Sequence, residues 1–369
     1  MSLSVGIVGL PNVGKSTLFN AVSTARADVA NYPFATIEPN VGVVAVPDER
    51  LEVVSRLVSA PRTVPTTVAF HDIAGLVKGA SLGEGLGNQF LSHIREVDAI
   101  VHVVRCFDDP DVTHVEGTVD PVRDIEITDT ELLLKDLETL ERAADKAARS
   151  AKAGGVEAKQ RADVLQRLLV ALRAGDTART VTSGDADAAG GARELGLLTA
   201  KPVLYAGNVA EEELPSPSSD AARALQQAAA AVGAESVFIC AEVEAQIAEL
   251  DEADRAAFLA ELGLSASGLD LLVTVAYRML DLITFFTTGP KEARAWTVRA
   301  GTRAPEAAGT IHSDMQRGFI RAEVISYADF AALGSEQAAR DAGRMRIEGK
   351  DYVVQDGDVI HVRFNSLIR

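Results

Sequence analysis

The sequence predicts an α/β protein in three parts: a strand-and-helix domain, a helical hairpin inserted into it, and a small α+β module at the end. Three observations predict it. Short β-type runs alternate with helical stretches across residues 1–128, and the same character returns over 201–280. Between 129 and 200, apolar residues recur at spacings of three and four. From 281 to 369, β-type runs dominate again, punctuated by glycine-containing turns. A chain of 369 residues accommodates two or three domains at ~150 residues each.

The first apolar run, Val5 to Leu10, closes on Gly and Pro, and Lys15 to Val22 follows as helix. Val41 to Val46, Thr67 to Asp72 and Ala99 to Cys106 supply further strands. That order implies a mainly parallel sheet flanked by helices. Leu133, Leu137, Leu140, Ala144 and Ala147 form one helical stripe, and Leu165, Leu168, Leu169 and Leu172 form another beyond Gly154-Gly155. Two amphipathic helices around such a turn make an antiparallel hairpin. Gly175 to Gly191 is small and polar and reads as loop, whereas Pro202 to Ala206 and Ser236 to Cys240 read as buried strands. The hairpin is therefore an insert. In the last module, Trp296 to Arg299, Phe319 to Ile325, Tyr352 to Val354 and Val359 to Phe364 read as strands. Asp356-Gly357-Asp358 turns the chain into the final one. Phe285, Phe286 and Trp296 read as core.

The chain is 47% apolar and 24% charged, with a net charge of −17. That acidity excludes indiscriminate adhesion to nucleic acid or anionic membrane. No apolar run approaches the ~18 residues of a membrane span. Cys106 and Cys240 lie far apart in apolar runs, as reduced core thiols do. Met1-Ser-Leu-Ser leads directly into a strand-like run with no room for a signal peptide, so a cytoplasmic location is expected. The charge is unevenly spread. Residues 281–369 hold twelve basic and twelve acidic groups, so the whole net charge falls on residues 1–280. RNA would meet least repulsion at the neutral module, where Arg317, Arg321, Arg340, Arg344, Arg346 and Lys350 are available to phosphates. Solvated surface positions account for those side chains equally well.

Gly9-Leu-Pro-Asn-Val-Gly14-Lys15-Ser16 matches G-x-x-x-x-G-K-[ST] and stands between a strand and a helix. In such a loop, backbone N–H groups and the helix start face phosphate oxygens. Lys15 can neutralise the β/γ-phosphates and Ser16 can place its hydroxyl on Mg²⁺. Asp72-Ile-Ala-Gly75 follows a strand; Asp72 can hold Mg²⁺ through a water, and Gly75 can donate its N–H to the γ-phosphate. Between them, Thr36 in the turn-rich Asn31–Asn40 loop is a candidate Mg²⁺ ligand, present only with triphosphate. Leu76, after Gly75, offers no group to orient an attacking water.

Asn12-Val-Gly-Lys-Ser-Thr17, Asn31-Tyr-Pro-Phe and the glycine-rich run Asp72 to Gly87 together resemble the Obg-related branch of translation-factor GTPases. The carboxyl half narrows the resemblance to the YchF, or Obg-like ATPase, family. It implies a P-loop NTPase domain over 1–128 and 201–280, a coiled-coil insert over 129–200, and a β-grasp-like TGS domain over 281–369. The TGS likeness is carried by Trp296–Gly301, Gly309–Asp314 and Gly318–Glu323. Where GTPases read guanine with Asn-Lys-x-Asp, this chain has Asn208-Val-Ala-Glu211. The altered pattern permits ATP, and the resemblance favours it. It further implies that the nucleotide meets Asn12, Val13, Gly14, Lys15, Ser16, Thr17, Gly75, Asn208, Val209 and Glu211. Mg²⁺ would be held by Ser16, Thr36 and Asp72. His114, in Thr113-His-Val-Glu-Gly117, would position the attacking water, with Lys15 as the other catalytic group. The expected activity is slow ATP hydrolysis in a ribosome-associated switch protein, with further protein partners reached through the insert. An Obg-type GTPase, or a nucleotide-gated stress regulator whose hydrolysis is incidental, are the alternatives.

Overall fold

The computed structural model describes residues 3–25, 40–73 and 86–365. Thr36, Gly75 and Leu76 lie outside them. The first sheet contains β1 (Leu3–Val8), β2 (Val41–Ala45), β4 (Thr67–Asp72), β5 (Ala99–Arg105), β6 (Val203–Asn208) and β7 (Glu235–Ile239). Its order is β2-β4-β1-β5-β6-β7, parallel throughout except for antiparallel β2. β5 is buried along its entire length, which is why it reads as a continuous apolar run rather than an alternating one. Helices α1 (Lys15–Ala25) and α3 (Leu86–Glu96) belong to the first half of the domain. Helix α2 (Glu49–Leu57) and the two-residue β3 (Thr63–Val64) lie in the crossover between β2 and β4.

Helices α4 (Pro121–Ala153) and α5 (Val156–Arg173) form the hairpin. Asp120 caps α4 by accepting from the Arg123 N–H, and Pro121 takes the first turn. The helix serves two cores. Ile125 and Leu132 join the main core, while Leu140, Ala144 and Ala147 meet Leu165, Leu168, Leu169 and Leu172 in a separate one. The expected stripe is thus the hairpin's own core, but α4 starts eight residues before position 129 and grows directly out of the main domain. Gly175 to Gly191 corrects the sequence reading: it contains α6 (Ala178–Thr182) and most of α7 (Ala186–Leu195). Asp185 caps α7, and Ala188 and Ala192 bury against the hairpin leucines. Small residues there permit close helix packing; a Cβ on Gly191 would come within 3.2 Å of Val164.

The second half of the first domain adds α8 (Asp220–Ala231), α9 (Ala241–Glu249), α10 (Glu252–Glu261) and α11 (Gly268–Met279). The second sheet is mixed, in order β11-β10-β12-β8-β9-β3, with β8 (Leu282–Thr288), β9 (Ala293–Arg299), β10 (Phe319–Ser326), β11 (Arg346–Glu348) and β12 (Asp358–Phe364). Helices α12 (Ala304–Ile311), α13 (Ser313–Arg317), α14 (Tyr327–Leu333) and α15 (Glu336–Asp341) complete the module. Phe285 and Phe286 are fully buried in two different cores, as alternation along β8 requires. Tyr352 to Val354 is not a strand; only Val353 bridges to Arg303. β3 closes the second sheet by pairing with β9, and Leu51 and Val54 of α2 share a core with Phe286, Ile325 and Phe330. The first domain therefore supplies part of the last module.

His102, in the middle of β5, is fully enclosed, with Nε2 3.2 Å from Thr128 Oγ1 of α4. Burial pushes its pKa down from 6.5 to about 4. The unfolded chain therefore takes up this proton first. The resulting stability is complete above pH 6.5 and drains away as the pH falls toward about 4, by about 3 kcal/mol. His102→Gln, which keeps a donor for Thr128, is expected to remove most of that acid loss. The check is the difference in melting temperature between wild type and variant at pH 7 and at pH 4.5.

Candidate nucleotide-binding site

A cleft of about 850 Å³ opens at the carboxyl ends of β1, β5, β6 and β7, where ligands bind in open α/β sheets. Its phosphate end is Pro11, Asn12, Gly14, Lys15, Ser16 and Thr17. Asn12 and Gly14 have positive φ, 62° and 91°, so the loop curls before α1 starts. A methyl group on Gly14 would collide with Asn208 Nδ2, and one on Gly9 would sit 2.7 Å from the Val103 carbonyl. Gly14 is thus required by contact as well as by conformation, and Gly9 by contact. Val13 is buried beneath the loop rather than lining the cleft.

Lys15 Nζ is ion-paired with Asp72 Oδ1. The phosphate-directed cation and the carboxylate ending β4 therefore meet at one point, although they are 57 residues apart. Ser16, which lines the cleft, and Asp72, which pairs with Lys15, are hard oxygen donors of the kind Mg²⁺ selects, so the described residues fit the ion. Each of the two charges compensates the other.

At the end of β6, beside the phosphate loop, Asn208 is buried with both ends of its amide engaged. Nδ2 donates to the Val13 carbonyl at 3.0 Å, and Oδ1 accepts from the Ala241 N–H at 2.9 Å. It stitches the phosphate loop to the start of α9. Val209 is buried, while Glu211 and Glu212 are exposed along the cleft. The remaining wall comprises Phe107, Asp108, Asp109, Pro110 and Val112 from the loop after β5, and Cys240, Ala241 and Glu242 after β7. Sequence reasoning missed both segments. Their signal was position alone: each directly follows a strand bordering the crevice. Arg105 shapes the first, donating to the carbonyls of Phe107 (3.1 Å), Asp109 (3.2 Å) and Val112 (2.8 Å) from a buried position. Burial pushes the Cys106 thiol up to about 12 and raises that of Cys240 as well. Neither is poised as a nucleophile.

His114 does not line the cleft. It is buried, with Nε2 2.9 Å from Asp124 Oδ2 and Nδ1 accepting from the Glu116 N–H at 3.1 Å. The residue before it nonetheless touches the phosphate loop, since Asn12 Nδ2 donates to the Thr113 carbonyl at 3.0 Å. Of the other expected site residues, Thr36 and Gly75 lie outside the described residues.

A family model described as "50S ribosome-binding GTPase" matches residues 4–153. A YchF-type carboxyl-terminal model, described as a protein of unknown function, matches residues 282–365. The chain is 52% identical to "Ribosome-binding ATPase YchF" of Bacillus subtilis, over 99% of this chain and 100% of that protein. It is 50% identical to the protein of the same name from Escherichia coli O157:H7, with the same coverage. Among solved structures it matches "Structure of the Schizosaccharomyces pombe YchF GTPase" with a TM-score of 0.88 and 37% identity, covering 98% of both chains.

Proposed function

The chain belongs to the YchF family, and from that premise we propose that it is an ATP-binding, ATP-hydrolysing switch protein that works at the ribosome. The observation that carries the reading is the junction of Lys15 with Asp72 at the end of a glycine-shaped loop. It unites the phosphate-neutralising group and the Mg²⁺-holding group at one point of the cleft. Ser16 and Asp72 hold Mg²⁺ there, joined by Thr36. The ion, when bound, neutralises charge on the β- and γ-phosphates. Lys15 holds the same phosphates, with the backbone N–H groups of Asn12 to Thr17 and of Gly75 around them.

The base end permits ATP, and membership of the family favours it. A guanine site has a lysine stem over the ring and an aspartate accepting from N1–H and the 2-amino group; this chain has buried Val209 and exposed Glu211 at those places. Adenine offers an acceptor at N1 and no 2-amino group, so a strict guanine carboxylate would be left unpaired against it. Asn208 and Val209 form the near wall for adenine, and Glu211 borders it. His114 supplies the water-orienting group that Leu76 cannot, and its enclosed position accounts for slow turnover.

The ribosomal role is carried by the relatives' names, whereas on the base those names divide between ATPase and GTPase. Titration of one preparation with ATP and GTP decides the base. ATP is expected to bind at least tenfold tighter, ~1.4 kcal/mol, and tighter GTP binding would overturn the assignment. His114→Ala is expected to bind ATP normally and to lose turnover at least tenfold; unchanged turnover would remove His114 from the mechanism. Cosedimentation with ribosomes should differ between ATP-bound and nucleotide-free protein. The arginines of the last module are exposed but internally paired, Arg317 with Asp314, Arg340 with Glu323 and Arg344 with Asp329. A contact with ribosomal RNA there exchanges weak surface pairs for phosphate contacts. Among the described residues no helix is long and apolar enough to cross a membrane. A cytoplasmic location, and protein partners on the α4–α5 hairpin, belong to the same proposal.

A further inference from the structure

We infer that Asp124 is a positioning residue for the hydrolysis step: it holds His114 in a resting place from which the imidazole has to be released before it can meet a water. The inference builds on the role proposed above for His114. It starts from the two ring nitrogens. Nδ1 accepts the Glu116 N–H, so the ring proton is on Nε2, and Nε2–H donates to Asp124 Oδ2. A ring bound in this way has no nitrogen left for a water. Both side chains are withdrawn from solvent, with His114 7% and Asp124 1% exposed.

The surroundings leave the buried carboxylate a partner on release. Asp124 Oδ1 accepts from Arg123 Nη2 at 3.1 Å and from Nε at 3.3 Å. The carboxylate therefore keeps a cationic partner when the imidazole departs, and the heavy cost of an unpaired buried charge is avoided. Arg123 also grips the far end of the loop, donating to Thr118 Oγ1 at 3.0 Å and to the Thr118 carbonyl at 2.5 Å.

The loop itself is fixed at both ends and pivoted between them. Arg105 pins Phe107, Asp109 and Val112. Asn12 of the phosphate loop holds the Thr113 carbonyl. Gly117, with φ 83° and open space around the position of a Cβ, is the pivot. His114 is thus next to a residue already in touch with the phosphate loop, on a short segment with a hinge. Movement of the ring requires the loss of its bonds to Asp124 and Glu116, and a pivot at Gly117 also loosens the turn closed by the Gly117 N–H on the His114 carbonyl at 3.0 Å.

A different arrangement, in which Asp124 stays bonded to His114 and orients it during the reaction, predicts the opposite sign on substitution. Asp124→Asn replaces a charge-assisted acceptor by a neutral one, roughly half as strong. The released population and kcat are then expected to rise about fivefold, while KM changes less than twofold. A kcat that is unchanged or reduced in folded Asp124→Asn protein would overturn the inference. Labelled-histidine NMR on the wild-type chain gives a readout independent of turnover and of the variant's folding. The His114 Nε2–H proton is expected to be protected from exchange without nucleotide and to lose that protection with a non-hydrolysable ATP analogue. A proton equally protected in both states would also overturn it. His114→Ala is assayed alongside: normal turnover there defeats the catalytic reading of His114, whereas the NMR comparison tests the hold of Asp124 on the ring directly.

Discussion

Lys15→Ala is expected to weaken ATP binding about a hundredfold and to bring turnover to background. A hydrogen bond to a charged group contributes ~1.5–3 kcal/mol, and losing about 3 kcal/mol of phosphate contact is about a hundredfold in affinity. The ammonium is nearly buried at 10% side-chain exposure, so solvent cations substitute for it poorly. Folding should survive, because Asp72 is 23% exposed and water can take over its solvation. Calorimetric titration at fixed Mg²⁺ measures the first effect and a melting curve the second. Wild-type affinity in the variant would show that the cleft does not bind phosphates as described.

The second large effect concerns the joint between the hairpin and the main sheet. Asp136 in α4 is buried and accepts three hydrogen bonds, from the Leu198 N–H (2.7 Å), the Thr199 N–H (2.8 Å) and Thr199 Oγ1 (2.7 Å). Thr199 Oγ1 in turn accepts from the Ala178 N–H at 3.0 Å. One carboxylate thus fastens the chain's return from the hairpin just before β6, and also the start of α6. Burial raises its pKa despite those bonds. Asp136→Ala would leave the Leu198 and Thr199 donors unpaired in a dry site. An orphaned buried donor costs ~1–3 kcal/mol, so a loss of about 3–5 kcal/mol is expected, a large part of a whole chain's usual stability. Chemical denaturation gives the total, and hydrogen exchange at Leu198 and Thr199 shows whether the loss is local. Undisturbed exchange at both amides would refute the joint's importance.

Much of this was legible in the sequence because it is local. The phosphate loop, the Asp at the end of β4 and the hairpin stripes are patterns within a few turns of chain. The Lys15–Asp72 pair follows once a parallel sheet sets β1 beside β4. What escaped depends on distant packing. Helix α7 looked like loop because its apolar residues are alanines, and their burial against Leu165 and Leu168 is a tertiary event. The run Leu282–Thr288 was not among the strands expected, yet it is β8 of the second sheet. The base-end walls carry no motif, only backbone carbonyls gathered by Arg105. His114 was singled out by the likeness of its neighbours in sequence, but its enclosure by Asp124 was invisible, since nothing in the residue types marks a carboxylate ten positions later as its partner.

The pairing of β3 with β9, and the seat of Leu51 and Val54 among the residues of the last module, bear on how such a chain is inherited. A gene segment encoding only residues 281–369 would produce a sheet short of an edge strand and a core short of two members, each of which contributes ~1.5–3 kcal/mol when buried. The piece that would have to travel with it, residues 49–64, lies between β2 and β4 of the first sheet. Recombination at the apparent boundary would leave both products with exposed apolar surface. The module at the end of the chain thus completes neither its sheet nor its core from residues 281–369 alone.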